Sequence, residues 1–230
     1  MPKVYPPQLE PVYLALEAFV YGYPKQLPGE KVKSLPVLET LLYLHPLSRR
    51  AAEEFADRYL AKHHSKIDYE LVGSAFLSLG DLELAERYTK EMLKLFPNEP
   101  DYLNTYAYIR LLREGKKAAP EALKLLQKAL KLKPNSPAIL DSMGWAYYLM
   151  GNYTAAENYL KRALKLYPED PVENYHYAAL LIKTGKPCEA KRYLKRALEG
   201  IYLLPVEPEP GLEKKVKKLL EEVKRACQTP

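Results

Sequence analysis

The residues best suited to chemistry in this chain are its histidines and cysteines, and their spacing supports little of it. His63 and His64 are adjacent, so on a helix they diverge by about 100° and cannot grip one metal ion as an i, i+4 pair would. His45 and His176 stand alone, and His176, set between Tyr175 and Tyr177, suits packing or a binding groove better than catalysis. Cys188 and Cys227 are the only cysteines, too few for a disulfide scaffold and without a CxxC spacing, so a reducing compartment is expected. There is no glycine-rich phosphate loop, no nucleophile elbow and no carboxylate pair that stands out from the Lys- and Arg-studded acidic background. These absences argue against an enzyme, a metal, a cofactor or a small-molecule substrate.

A second chemistry to weigh is anion contact. Lys90, Lys94, Lys128, Lys131, Lys161, Arg162, Lys165, Lys195 and Arg196 recur near the ends of predicted helices, as a nucleic-acid or anionic-membrane surface would require. Cations near helix C-termini also meet the macrodipole favourably and keep a convex surface soluble, and this is the preferred reading. The net charge of +6 comes from 35 basic and 29 acidic residues that are closely mixed, so nucleic acid is disfavoured.

The elements that carry these residues must be helices. With 10 Gly against 20 Pro and 20 Tyr, and Ala, Leu, Lys and Glu abundant, the composition predicts short helices punctuated by proline. No stretch approaches the roughly 20 apolar residues of a membrane span, and the start resembles no export signal. A cytoplasmic location is expected, or a periplasmic or envelope-associated one if a signal has been removed. High Lys and Glu with few Gln, Asn and Cys leans toward a heat-adapted source.

The helices repeat. Residues 137–170 carry Leu140, Met143, Gly144, Tyr147, Ala156, Leu160, Ala163 and Pro168. A unit of the same length earlier in the chain, 66–99, places Tyr69, Val72, Gly73, Phe76, Gly80, Ala85 and Pro97 in the corresponding slots. Between them, 100–136 is three residues longer, with the extra residues assigned between Gly115 and Pro120. The unit 171–204 follows with Asn174, Tyr177, Ala178, Leu181, Gly185, Ala190, Leu194 and Ala197, although Tyr202 replaces the closing proline. Small residues at fixed slots let two antiparallel helices approach closely, and the proline turns the chain into the next hairpin. One hairpin cannot bury its apolar face alone, so the units must stack.

Residues 32–65 read as a degenerate hairpin through Leu35, Leu38, Leu42, Ala51 and Phe55, with Glu39 and Pro46 departing from the pattern. Within 1–31, an N-terminal helix over 8–21 and a loop over 22–31 are expected. Residues 205–211 are a proline-rich linker, and 212–230 hold a capping helix with the apolar stripe Leu212, Val216, Leu219, Leu220 and Val223.

This 34-residue pattern resembles the tetratricopeptide-repeat (TPR) family. The resemblance implies an all-α, right-handed superhelix, an α-solenoid of antiparallel A and B helices with capping helices at its ends. In that family the A helices line a concave surface that binds protein or peptide partners. The slots that face it hold Glu70 and Ser74, then Asp101, Asn104 and Tyr108, then Asp141, Trp145 and Tyr148, and finally Tyr175 and Ala179. The Lys and Asn set with which one TPR subclass holds a peptide C-terminal carboxylate is absent, and Glu70, Asp101 and Asp141 would repel an acidic tail. The expected role is a non-catalytic scaffold or adaptor that binds an apolar or mildly basic segment on an aromatic wall. The alternatives are a self-associating subunit, hence a homo-oligomer, and a binder of nucleic acid or membrane through the basic stripe. The groove could also be filled by the chain itself, through Tyr5-Pro6-Pro7 or the linker 205–210.

Overall fold

The computed structural model describes residues 35–204 and 208–227, so the expected helix over 8–21, the loop 22–31 and the segment Tyr5-Pro6-Pro7 lie outside the described residues. Among the described residues there are eleven α-helices, one 3₁₀ turn and no strand. The chain forms two compact units, Met1–Met92 and Leu93–Pro230.

In the first unit α1 (Leu35–Leu47) and α2 (Arg49–Leu60) make the degenerate hairpin. Pro46 falls inside α1 but in its last turn, where it costs little and the helix ends one residue later. Ser48 is the turn and also the N-cap of α2, its hydroxyl accepting from the Ala51 N–H. Helix α3 (Lys66–Ser78) opens on a capping box formed by Ser65 and Asp68. Asp81 starts α4 (Leu82–Leu95) by accepting from the Leu84 N–H at 3.1 Å. Burial alone would raise the Asp81 pKa, but donation from Arg49 Nε at 2.6 Å and contact with His45 Nε2 at 2.9 Å outweigh it and bring the carboxyl to about 2. Gly73 lets α3 close on α4, since a Cβ there would lie 3.0 Å from Thr89 Cγ2.

The second unit contains α5 (Pro100–Glu114), α6 (Ala119–Leu132), α7 (Pro137–Met150), α8 (Tyr153–Leu166), α9 (Pro171–Lys183), α10 (Pro187–Tyr202) and α11 (Leu212–Ala226). Proline stands in the first turn of α5, α6, α7, α9 and α10, where its fixed φ suits the helix and its missing N–H is not needed. Ser136, Asn152 and Asp170 cap α7, α8 and α9 through their side chains. The residues that lengthen the 100–136 unit lie in the 3₁₀ turn Gly115–Lys117, just ahead of Pro120.

Leu103, Ala107, Leu126, Ala129, Ile139 and Met143 form one core of this unit. Ala156, Leu160, Ala178, Leu194 and Ala197 belong to the next, which Leu212 and Val216 of α11 complete. Leu212, Val216, Leu220 and Val223 are buried, and α11 packs on α9 and α10. The reading of the cysteines needs correction: Cys188 at the start of α10 and Cys227 after α11 are joined in a disulfide with Cα atoms 5.7 Å apart. Helix stacking brings together two positions 39 residues apart, which spacing along the chain could not show.

Candidate functional site

The expected groove residues of the second unit lie on three A helices that are neighbours in space, α5 beside α7 and α7 beside α9. Helix α7 presents Trp145 and Tyr148, one turn apart, with rings stacked at 4.7 Å. Helix α9 presents Tyr175 and His176; the His176 ring lies parallel to Trp145 at 4.0 Å and Tyr175 is tilted at 6.1 Å. Helix α5 adds Tyr108, edge-on to His176 at 5.9 Å. The rings Tyr108, His176, Trp145 and Tyr148 are therefore continuous, and Ala179 is buried one turn after Tyr175. Glu70 and Ser74 are exposed on α3 in the first unit.

Two acidic members of the expected set have partners within the chain. Asp141 is buried and its Oδ2 lies 2.8 Å from Nδ1 of His176, which is fully buried. Asp101 is exposed and accepts from Lys133 Nζ at 2.9 Å. Asp141 acts on the wall indirectly, by fixing the ring on which Trp145 stacks.

Three contributors were not among the expected groove residues. His176 is the first, although its place beside Tyr175 hinted at it. Glu173 is the second: it is buried on α9 with Oε2 lacking a hydrogen-bond partner, and its pKa is pushed up to about 9 by burial and then by the charges of Asp141 and Asp170. It therefore carries a proton at neutral pH, which reduces the cost of burying it. Burial also raises Asp170, with Asp141 adding to the rise, while the N–H groups of Val172 and Glu173 pull the other way.

The third is Glu209, in the segment Pro208-Glu209-Pro210 between α10 and α11. Its side chain is buried, with 1% exposure, and it accepts a hydrogen bond at Oε2 from the Tyr108 hydroxyl, 101 residues earlier in the chain. Its Oε1 accepts from Lys215 Nζ at 2.7 Å. Tyr108 Oη also lies 3.5 Å from His176 Nε2. The Tyr108 pKa is raised well above the usual phenol value, by burial first and by the Glu209 charge next, so the hydroxyl remains a donor. Of the two segments expected to compete for the groove, the linker thus reaches the aromatic wall through the Glu209 side chain.

On the B-helix side a cleft of about 350 Å³ is lined by Lys161, Lys165, Arg192, Arg196, Tyr177 and Tyr193. Several cations of the predicted stripe already have local partners. Lys161 pairs with Glu157 at 2.6 Å, and Lys128 donates to the Pro97 carbonyl at 2.8 Å.

Tetratricopeptide-repeat family models match residues 71–137, 111–172 and 147–200, which together run through more than half of the chain. The chain belongs to the tetratricopeptide-repeat family. A TPR repeat-containing protein of Pseudomonas aeruginosa is 39% identical over 84 residues, which is 35% of this chain and 13% of that protein. The match thus spans only a small part of that relative. Among solved structures, a thermophilic TPR protein of Thermus thermophilus superposes with a TM-score of 0.60 at 24% identity, covering 82% of this chain and 99% of that one. PilW, a type IV pilus biogenesis factor, gives 0.56 at 18% identity over 88% and 94% of the two chains. The Cut9-Hcn1 hetero-tetramer of the APC/C gives 0.55 at 19% identity, over 81% of this TPR chain and 36% of that one. At these identities the likeness is one of fold. Among the described residues, no helix is long and apolar enough to cross a membrane.

Proposed function

We propose that this TPR protein is a non-catalytic scaffold that grips a peptide segment of a protein partner on the A-helix face of its second unit. The observation that carries the reading is the continuous stack of Tyr108, His176, Trp145 and Tyr148 across α5, α7 and α9. Rigid amphipathic rings of this kind supply much of the energy at binding hot spots and lose little side-chain entropy on contact. The segment is largely apolar and extended. Of the acids behind the expected preference for a mildly basic ligand, Asp141 lies against His176 and Asp101 against Lys133.

The Cys188–Cys227 bridge favours residence in an oxidising compartment over the cytoplasm. The basic B-helix cleft offers a second surface, but Lys161 there is paired with Glu157 and Lys165 stands in the last turn of α8, so it ranks below the aromatic wall.

A random peptide display library selected on the wild-type protein tests the proposal. Selected peptides should bind Tyr148→Ala and Tyr175→Ala at least about tenfold more weakly, as expected for hot-spot truncation, while far-UV circular dichroism stays unchanged. Peptides that bind the wild type and both variants equally would refute it.

A further inference from the structure

Glu209 is an isolated carboxylate driven into an aromatic wall, and the side chain that receives it there belongs to a helix two repeats away. A surface linker between α10 and α11 has no topological need to reach α5, since α11 packs on α9 and α10 through Leu212, Val216, Leu220 and Val223. The flanking prolines Pro208 and Pro210 hold the segment out of helix and reduce the entropy lost on docking. The segment turns into α11, with the Leu212 N–H on the Glu209 carbonyl at 3.3 Å, and sets one buried charged anchor against α5.

We infer that the site beside Tyr108 is a carboxylate-reading subsite of the peptide groove, that its outside ligand is a partner segment bearing a glutamate between prolines, and that Pro208-Glu209-Pro210 is the intramolecular stand-in which that ligand displaces. The inference rests on the peptide-binding reading above and specifies its ligand. The Tyr108 hydroxyl is the donor on the wall. The Asp141–His176 pair, buried and linked at 2.8 Å, fixes the ring that adjoins both Tyr108 and Trp145. Asn104 lies one turn before Tyr108 on α5, and its Oδ1 is buried without a hydrogen-bond partner. Of the neighbouring acids, Asp141 has one carboxylate oxygen on His176, and Glu173 carries a proton at neutral pH. Lys215, which is 42% exposed, supplies the nearby cation from α11.

A tethered competitor acts at an effective concentration in the millimolar range, so a closed strap weakens an outside peptide of moderate affinity by about tenfold or more. Trp145 is the only tryptophan and lies on His176, so its fluorescence reports occupancy directly. The experiment is a titration of the full chain with a synthetic peptide of residues 203–211. Glu209→Ala should bind this peptide about tenfold more tightly than the wild type does. A peptide with glutamine in place of its second glutamate should bind Glu209→Ala at least about tenfold more weakly than the parent peptide, and adding Tyr108→Phe to Glu209→Ala should cost the parent peptide a similar factor.

Glu209→Gln, which keeps the size of the side chain, loosens the strap and should give a gain of the same sign, which keeps the test open if Glu209→Ala folds poorly. A peptide that binds no form of the protein would overturn the inference, as would equal binding to the wild type and both strap variants, or a glutamine peptide that binds as well as the parent. A Glu209-dependent dimer in light scattering would assign the site to a second copy's strap and would overturn it too. If display peptides depend on Tyr148 and Tyr175 but ignore the carboxylate, the peptide groove stands and this inference alone falls.

Discussion

The contact between Gly144 and Leu160 is where the repeat pattern makes its sharpest energetic demand. A Cβ added at Gly144 would lie 2.6 Å from Leu160 Cγ, 2.8 Å from its Cδ2 and 3.1 Å from its backbone nitrogen. Ordinary carbon contacts fall at about 3.5–4.0 Å, so α7 and α8 must separate or Leu160 must leave its buried place. Overpacking of this kind costs about 1–3 kcal/mol, and the better helix propensity of alanine offsets about 1 kcal/mol of it. Gly144→Ala should therefore destabilise the protein by up to about 2 kcal/mol and lower Tm by up to about 6 °C. Leu160→Ala alone should cost about 2–5 kcal/mol, because that side chain is fully buried. In the double variant the new methyl enters the space that Leu160 leaves, so the combined loss should fall short of the sum by about 1–2 kcal/mol. Urea unfolding of the four proteins gives the cycle. Losses that add within about 0.5 kcal/mol, or a Gly144→Ala protein more stable than wild type, would refute the close-approach argument. Gly73→Ala is the internal control. Its added methyl meets only the Thr89 methyl, at 3.0 Å, and the two effects should nearly cancel.

Two further outcomes follow from the second unit. Because the folded-state pKa of Glu173 is raised from 4.5 to about 9, its contribution is fully present below pH 4.5 and is lost as pH rises toward 9. Each pH unit in that window is worth up to about 1.4 kcal/mol, so the Tm of wild type should fall relative to Glu173→Gln between pH 5 and pH 8, and a constant difference would reject the assignment. The Cys188–Cys227 bridge closes a loop spanning 39 residues, for which chain entropy predicts about 4 kcal/mol of stabilisation. Melting with and without reductant should show the loss, and two free thiols in the untreated unfolded protein would show that the bridge does not form.

The hairpins were readable because their determinants are local and periodic: small residues at Gly73, Gly144 and Ala178, prolines that open helices, and glycines after them. The aromatic wall was partly readable for the same reason, since equivalent A-helix slots recur at a fixed interval. The polar pairs also follow that interval, with Asp141 and His176 separated by 35 residues and Tyr108 and His176 by 68. The pairing itself was missed because Asp141 was taken as a charge offered to the ligand, although a histidine stands one repeat further on. Glu209 and Cys227 lie beyond the last repeat, where periodicity stops and only folding shows what the chain meets. Proline content marked the strap as extended, and docking as one of its fates, but no local signal marked Glu209 as buried.

The buried charges of the second unit explain why a carboxylate can be tolerated at the wall. Asp141, Glu173 and Glu209 would be a costly trio if all three were charged and alone. His176 contacts one oxygen of the first, protonation neutralises the second, and the third is shared between Tyr108 and Lys215. Only the third depends on a segment that can leave, because Glu209 is carried on the strap whereas Asp141 and Glu173 are built into α7 and α9. The wall stays ordered when the strap departs, since the stack of Trp145 on His176 and the Asp141 contact beneath it involve no strap residue. A site that is already formed, with its donor held protonated, spends little of a ligand's binding energy on reorganisation.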